Sequence, residues 1–258
     1  MPLVYPYGFM GGSGPEMLAA RFNGTGMSAS GGIGGGVTDG STFICSFWVR
    51  FRQDNNTQTI IKIRGTDPIS GLTYDGFNIW RDSNNRLNLQ ARQPGTGLGA
   101  VVHEWTTSRT FTVADGWAHV YAFRGNPDTD SGVWINNEPL ISIIPSSAVI
   151  DFTQSNMYFA RNNTGASDNA AVADIAEFYL IRNPGVLPTN QSVRDHFVRG
   201  TGANCKPVKM LSSDWSLPTP HVYLSADTQQ FHINWGLGNS FSSFPANATY
   251  APSGKFYV

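Results

Sequence analysis

Short runs with a period of two carry the hydrophobicity of this chain. In FICSFWVRF (43–51), Phe43, Cys45, Phe47, Val49 and Phe51 share one parity, so a pleated strand sets all five on one face. Arg50 and Arg52 fall on the other. The pattern recurs at DGFNIW (75–80), RLNLQAR (86–92), DGWAHVYAF (115–123), GVWINNEPL (132–140) and ADIAEFYLI (173–181). QTIIKIR (58–64) and MYFAR (157–161) fill the gaps, and MLAARFNG (17–24) reads as an opening strand. Asp, Asn, Gly and Pro separate the runs as turn formers. Many short half-buried strands with turn signals between them predict an all-β antiparallel sandwich.

At both ends the pattern changes. Pro2, Pro6 and Pro15 among Gly8, Gly11, Gly12 and Gly14 exclude a helix, yet Leu3, Val4, Tyr5, Tyr7, Phe9 and Met10 are too apolar for a solvated tail. Residues 1–17 therefore read as an extended arm that lies on its own sandwich or on a neighbouring subunit, with Tyr5, Tyr7 and Phe9 as contact residues. The sandwich is expected over 18–189. A C-terminal extension, 190–258, is expected to pack on it or on neighbours. In that extension Asn190 or Ser192 as N-cap, Val193 and Phe197 four apart, and Gly200 as a stop predict one short helix. HVYLS (221–225) and QFHIN (230–234) read as strands.

Composition narrows the function classes. Charged residues make up only 14%, the net charge is −1, and no basic run occurs, which argues against nucleic-acid binding. No apolar stretch reaches the roughly 18 residues of a membrane span. The start, MPLVYPYGFMGG, has no basic region ahead of an apolar one and reads as no secretory signal. Cys45 shares the parity of the core phenylalanines and reads as a buried thiol; with Cys205 the only other cysteine, there is no disulfide framework. The glycine-dense loop from Gly31 to Gly40 lacks the Lys and the context of a phosphate loop.

Catalytic patterns are sparse. Glycoside hydrolysis needs two carboxylates flanking the scissile bond, and the four glutamates, Glu16, Glu104, Glu138 and Glu177, do not form a Glu-x-Asp-x-x-Glu strand. Strand alternation places Asp174 and Glu177, three apart, on opposite faces. The five histidines show no zinc spacing, and no G-x-S-x-G elbow occurs, so no enzyme is predicted. No cofactor is implied beyond a candidate calcium site at Asp128 and Asp130 in NPDTDSG, with Asp82, Asn84 and Asn85 or Asp54 and Asn55 as weaker oxygen clusters. All of these are also ordinary turn sequences. Sugar binding uses exposed rings beside amides, and Trp80, Trp105 and Trp134 are the candidate platforms, with Trp215 and Trp235 behind them. The same rings serve as packing groups.

Residues 18–182 resemble the concanavalin A-like lectin/glucanase jelly roll of the laminin-G kind. RFNGTG (21–26) is similar to its opening strand, FICSFWVRF to its SFWV strand and DGWAHV (115–120) to its DGxWHHV turn. GVWINNEPL resembles lyVNGvL, and ADIAEFYLIRNPGVLPT (173–189) resembles the closing IDEvriYnraLs strand. Farther on, SVRDHFV (192–198), KPV (206–208), PHVYLS (220–225) and FHINWGLGNSF (231–241) resemble a tail that follows such sandwiches in structural proteins of tailed bacteriophages and prophages. There the usual Gly-Gly-x-Phe reads Gly238, Asn239, Ser240 and Phe241. The resemblance implies a non-enzymatic virion component, a capsid decoration or small tail protein assembled in the host cytoplasm. Its implied partners are other virion proteins and copies of itself. The alternative is a carbohydrate-binding module that attaches the particle to cell-surface glycan, with a glycoside hydrolase as a remote second alternative.

Overall fold

Apolar residues on one parity of a strand need a second layer to bury them, and here each sheet supplies that layer for the other. A computed structural model of the chain describes residues 16–30, 38–66, 73–94, 99–125, 131–142, 148–154, 156–161, 170–186, 188–209, 217–226, 230–241, 245 and 248–256. Tyr5, Tyr7, Phe9, Asp128, Asp130 and Trp215 lie outside the described residues. In chain order the strands are β1 (Glu16–Asn23), β2 (Met27–Ser30), β3 (Phe43–Phe51), β4 (Gln58–Thr66), β5 (Thr73–Arg81), β6 (Arg86–Arg92), β7 (Val101–Thr110) and β8 (Ala118–Arg124). They continue with β9 (Ser131–Ile135), β10 (Glu138–Ser142), β11 (Asn156–Phe159), β12 (Val172–Arg182), β13 (Val198–Arg199), β14 (Lys206–Pro207), β15 (Val222–Leu224) and β16 (Thr249–Phe256). A single-turn helix, α1 (Gln191–Arg194), precedes β13.

One sheet runs β10-β9-β8-β3-β12-β1-β16, with β15 also on β12; a second runs β2-β11-β4-β5-β6-β7, and β13 and β14 pair as a two-stranded ribbon. The strand pairs are antiparallel. Phe43, Phe47, Phe22 and Phe178 of the first sheet meet Phe77 and Phe159 of the second in one buried core. Ring centroids of Phe43 and Phe77 lie 5.2 Å apart, and those of Phe159 and Phe178 4.9 Å, close enough for edge-to-face packing. The five same-parity residues of β3 all belong to this core.

The expectation of half-buried strands fails for the larger sheet, because its outer face is covered as well. Ile44, Tyr121, Phe123, Tyr179, Ile181 and Tyr223 pack under Val193, Phe197 and Leu217. Beside them Met17, Ala19, Trp48 and Ala176 pack under Val198 and Cys205. The predicted helix forms as α1 with Asn190 as N-cap, although the Asn190 side chain makes no capping bond. Cys45 sits in the core and Cys205 on the outer face; both thiols are free. QFHIN forms turns rather than a strand: Phe231 is buried in the core, and its N–H donates to the Tyr250 hydroxyl.

β12 carries a bulge. Ala176 pairs with Trp48 and Tyr179 with Ser46, so Glu177 and Phe178 together face the single residue Phe47. Glu177 adopts φ 49°. The bulge falls where the neighbour of β12 changes from β1, opposite 172–175, to β15, opposite 178–180. It corrects the parity expected for Glu177. Its carboxylate accepts hydrogen bonds from the Tyr223 hydroxyl and the Ser225 hydroxyl, both at 2.7 Å, on the outer side of the sheet. That is the side where Asp174 meets Arg21 and Arg50.

Candidate functional site

Among the described residues no apolar layer like that on the larger sheet covers the outer face of the six-stranded sheet, and alternation makes this face polar. Ile61 and Ile63 point inward from β4, so Lys62 and Arg64 point outward. By the same rule Phe77 and Ile79 set Asn78 and Trp80 outside, and Leu87, Leu89 and Ala91 set Arg86, Asn88 and Gln90 outside.

Direct cross-strand partners align these groups into a row. Ser28 opposes Tyr158, Tyr158 opposes Lys62, Lys62 opposes Asn78, Asn78 opposes Gln90 and Gln90 opposes Glu104. At about 4.8 Å per strand the row crosses the whole sheet, over about 24 Å. A second row sets Trp80 between Thr59 and Asn88, with Thr106 beyond Asn88. Solvent reaches both rows: Glu104 and Thr106 are exposed, while Asn78, Trp80, Gln90 and Tyr158 are half-buried.

Asp75 joins this face through a bulge. Ile63 pairs with Phe77 but Arg64 pairs with Asp75, which leaves Gly76 as the extra residue. Regular alternation would have sent Asp75 inward with Phe77; the inserted residue turns it out. Only glycine fits there, because a Cβ on residue 76 would lie 2.2 Å from the Asp151 carbonyl oxygen. Asp75 then meets Lys62 Nζ at 3.2 Å and Arg64 Nε at 3.5 Å. Arg64 Nη2 also donates to Thr73 Oγ1 at 2.7 Å.

The neutral groups are ordered too. Gln90 Nε2 donates to Glu104 Oε1 at 3.2 Å, and the Thr106 hydroxyl donates to Asn88 Oδ1 at 2.5 Å. Asn78 Oδ1 is buried without a hydrogen-bond partner among the described residues. An acceptor in that state costs stability until a donor reaches it. A half-buried indole flanked by amides, hydroxyls and charges is chemically suited to a polyhydroxylated ligand. The ring covers C–H faces while the amides trade hydrogen bonds with hydroxyls.

Among the described residues, Trp80 is the one predicted platform that lies on this face. Trp105 is 4% exposed and belongs to the core, where its ring has no free side for a sugar. Trp134 packs on the outer cluster of the larger sheet, with the Arg194 guanidinium 3.7 Å from its ring centre. Trp235 is 45% exposed on a separate loop. Asp82 serves its own turn, accepting from the backbone N–H groups of Asn84 and Arg86, and Asp54 accepts from the Val113 N–H. Among the described residues no three of His, Cys, Asp and Glu gather as metal ligands.

Sequence reasoning passed over Lys62, Arg64, Asp75, Asn78, Gln90 and Tyr158. The signal was present in their parity opposite the core residues, and for Asp75 in the isolated glycine after it. The buried histidines belong to the packing. Burial pushes His119 down to about 3, and its Nε2 sits 2.9 Å from the Ser46 hydroxyl. Burial, with Arg124 adding to it, likewise lowers His103 to about 3.

No protein-family profile matches the chain, and no curated protein matches it. Solved structures do. The chain is similar to a candidate carbohydrate-binding protein from Bacteroides ovatus ATCC 8483, at TM-score 0.61 and 12% identity over 94% of this chain and 62% of that one. It thus spans about three fifths of that protein. It is similar to the heptameric SAP-like pentraxin of Limulus polyphemus, at TM-score 0.38 and 14% identity over 67% and 73% of the two chains. It is also similar to domains LG4-5 of the mouse laminin α1 chain, at 0.42 and 11% over 70% and 46%. At 12% identity the first of these likenesses is one of fold alone.

Proposed function

We propose that the chain is a non-catalytic carbohydrate-binding domain that takes glycan on the outer face of its six-stranded sheet. The observation that carries this reading is the outward row Tyr158, Lys62, Asn78, Gln90 and Glu104, with Trp80 half-buried beside it. The lectin-type fold supports it. A binding role fits the carboxylates better than hydrolysis does: Asp75 is held by Lys62 and Arg64, Glu104 by Gln90, and Asp174 by Arg21 and Arg50.

The test is a glycan array probed with the full chain and with Trp80→Ala. Retained glycans lost on substitution at Trp80, with the thermal midpoint preserved, support the reading. Binding that survives Trp80→Ala, or no binding to any glycan, overturns it.

The setting proposed for this activity is a virion, as a capsid decoration or small tail component that contacts other virion proteins through an arm containing Tyr5, Tyr7 and Phe9. The sequence resemblance alone supports that setting. Deleting residues 1–14 is expected to abolish incorporation into particles, and unchanged incorporation contradicts it. Asp128 and Asp130 are proposed as a calcium pair, checked by calorimetry with calcium on Asp128→Asn.

A further inference from the structure

The polar face is electrically lopsided along its own row. Near β4 and β11 it carries two cations, Lys62 and Arg64, against one carboxylate, Asp75. Near β7 it carries Glu104, held by Gln90. Between them Asn78 and Gln90 are neutral, as are Trp80 and Asn88 in the adjoining row. Placing two cations around one acid leaves a surplus positive charge at that end, whereas Arg86, on the same face, is paired with Asp82.

That surplus is held in a setting that strengthens it. The Lys62 side chain is 11% exposed and that of Arg64 19%, so water and salt screen them less than they would a surface lysine. A guanidinium has five N–H donors and an ammonium three. Arg64 Nη2 donates to Thr73 Oγ1, while Arg64 Nε and Lys62 Nζ stand at ion-pair distance from Asp75. Donor capacity therefore exceeds what Asp75 and Thr73 take up. Asn156 stands opposite Arg64 and Tyr158 opposite Lys62, adding an amide and a phenol at the same end.

Spacing fits one ligand spanning both features. Asn78, the direct partner of Lys62, and Trp80 are two residues apart on β5, about 7 Å along the strand. A saccharide ring over Trp80 thus places a substituent of the same or the next unit at Lys62 and Arg64. We propose that this end of the face selects acidic glycans, those carrying carboxylate or sulfate, over neutral ones of the same length. The anion docks on Arg64 and Lys62, and the neutral ring rests on Trp80. This inference rests on the glycan-binding reading above and names its ligand class.

The experiment compares the full chain against oligosaccharides of equal length in three forms: uronic-acid, neutral methyl-ester and sulfated. Calorimetry is expected to give the two acidic forms at least about tenfold tighter binding than the neutral form. The preference should shrink as sodium chloride rises from about 50 to about 500 mM, since added salt screens charge. In Arg64→Gln the ratio of acidic to neutral affinity should fall toward one. A preference for only the carboxylated or only the sulfated form identifies which anion is read. Equal affinity of the wild type for acidic and neutral forms, with no salt dependence, overturns the proposal while leaving glycan binding intact. Absence of binding to all three, with none on the array, instead removes the underlying glycan-binding reading.

Discussion

Lys62 Nζ stands 3.2 Å from Asp75 Oδ2 on the outer face of the six-stranded sheet, although Asp75 shares the sequence parity of the core residues Phe77 and Ile79. The contact exists because Gly76 is inserted between paired positions and lets the strand change side. The polar face therefore depends on a buried glycine.

Gly76→Ala should be destabilising. A methyl group driven to within 2.2 Å of the Asp151 carbonyl oxygen forces backbone to move, and overpacking of this kind costs about 1–3 kcal/mol. Urea unfolding should show a lower midpoint with an unchanged slope. An unchanged midpoint means the bulge tolerates a side chain.

Two tryptophans should separate binding from stability. Trp105→Ala empties a core position and is expected to cost about 3–5 kcal/mol of unfolding free energy. Trp80→Ala removes a half-buried outward ring and should cost well under that, while abolishing retention on any glycan the array identifies. Reversed effects would mean the assignment of inner and outer faces is wrong.

His103 and His119 make stability depend on pH in one direction. Both are held near 3 in the fold by burial, well below the ordinary value near 6.5. Above pH 6.5 both folded and unfolded chains keep the rings neutral, and this contribution to stability is fully present. As pH falls from about 6.5 toward 3, only the unfolded chain takes up the protons, so stability falls by up to about 1.4 kcal/mol per pH unit for each ring. His103→Leu should remove one ring's share of that slope. It should cost little at neutral pH, because neither ring nitrogen of His103 has a hydrogen-bond partner among the described residues. Unfolding curves at stepped pH values check both points.

Tyr223→Phe should weaken the bulge in β12. The lost hydroxyl donates to the Glu177 carboxylate, which is 1% exposed, and a buried hydrogen bond to a charged group contributes about 1.5–3 kcal/mol. The loss should appear mainly as an unfolding midpoint shift. No shift would show that Ser225 alone suffices.

Much of the fold was legible because alternation is read directly from residues such as those of β3 and β6. β7 was not, since its core-facing positions include His103 and Thr107 beside Trp105, and a histidine and a threonine hide the period. β16 was missed because Pro252 and Gly254 interrupt it; as the end strand of its sheet, paired with β1 along one edge, it tolerates them. The candidate site was less legible than the fold. The sequence marks Trp80 and Trp105 alike, and only register shows one facing out and the other in. Likewise, Lys62, Asn78 and Gln90 come from three separate strands and become neighbours only once those strands pair.

The proposed ligand surface is the outer face of the six-stranded sheet. Nuclear magnetic resonance of the labelled chain, titrated with the tightest glycan from the array, tests this directly. The account predicts shifts centred on the Asn78 and Gln90 side-chain amides and the Trp80 indole, with Tyr158 close behind. Shifts gathered instead around Trp235 or Trp134, with the Trp80 indole unmoved, contradict it.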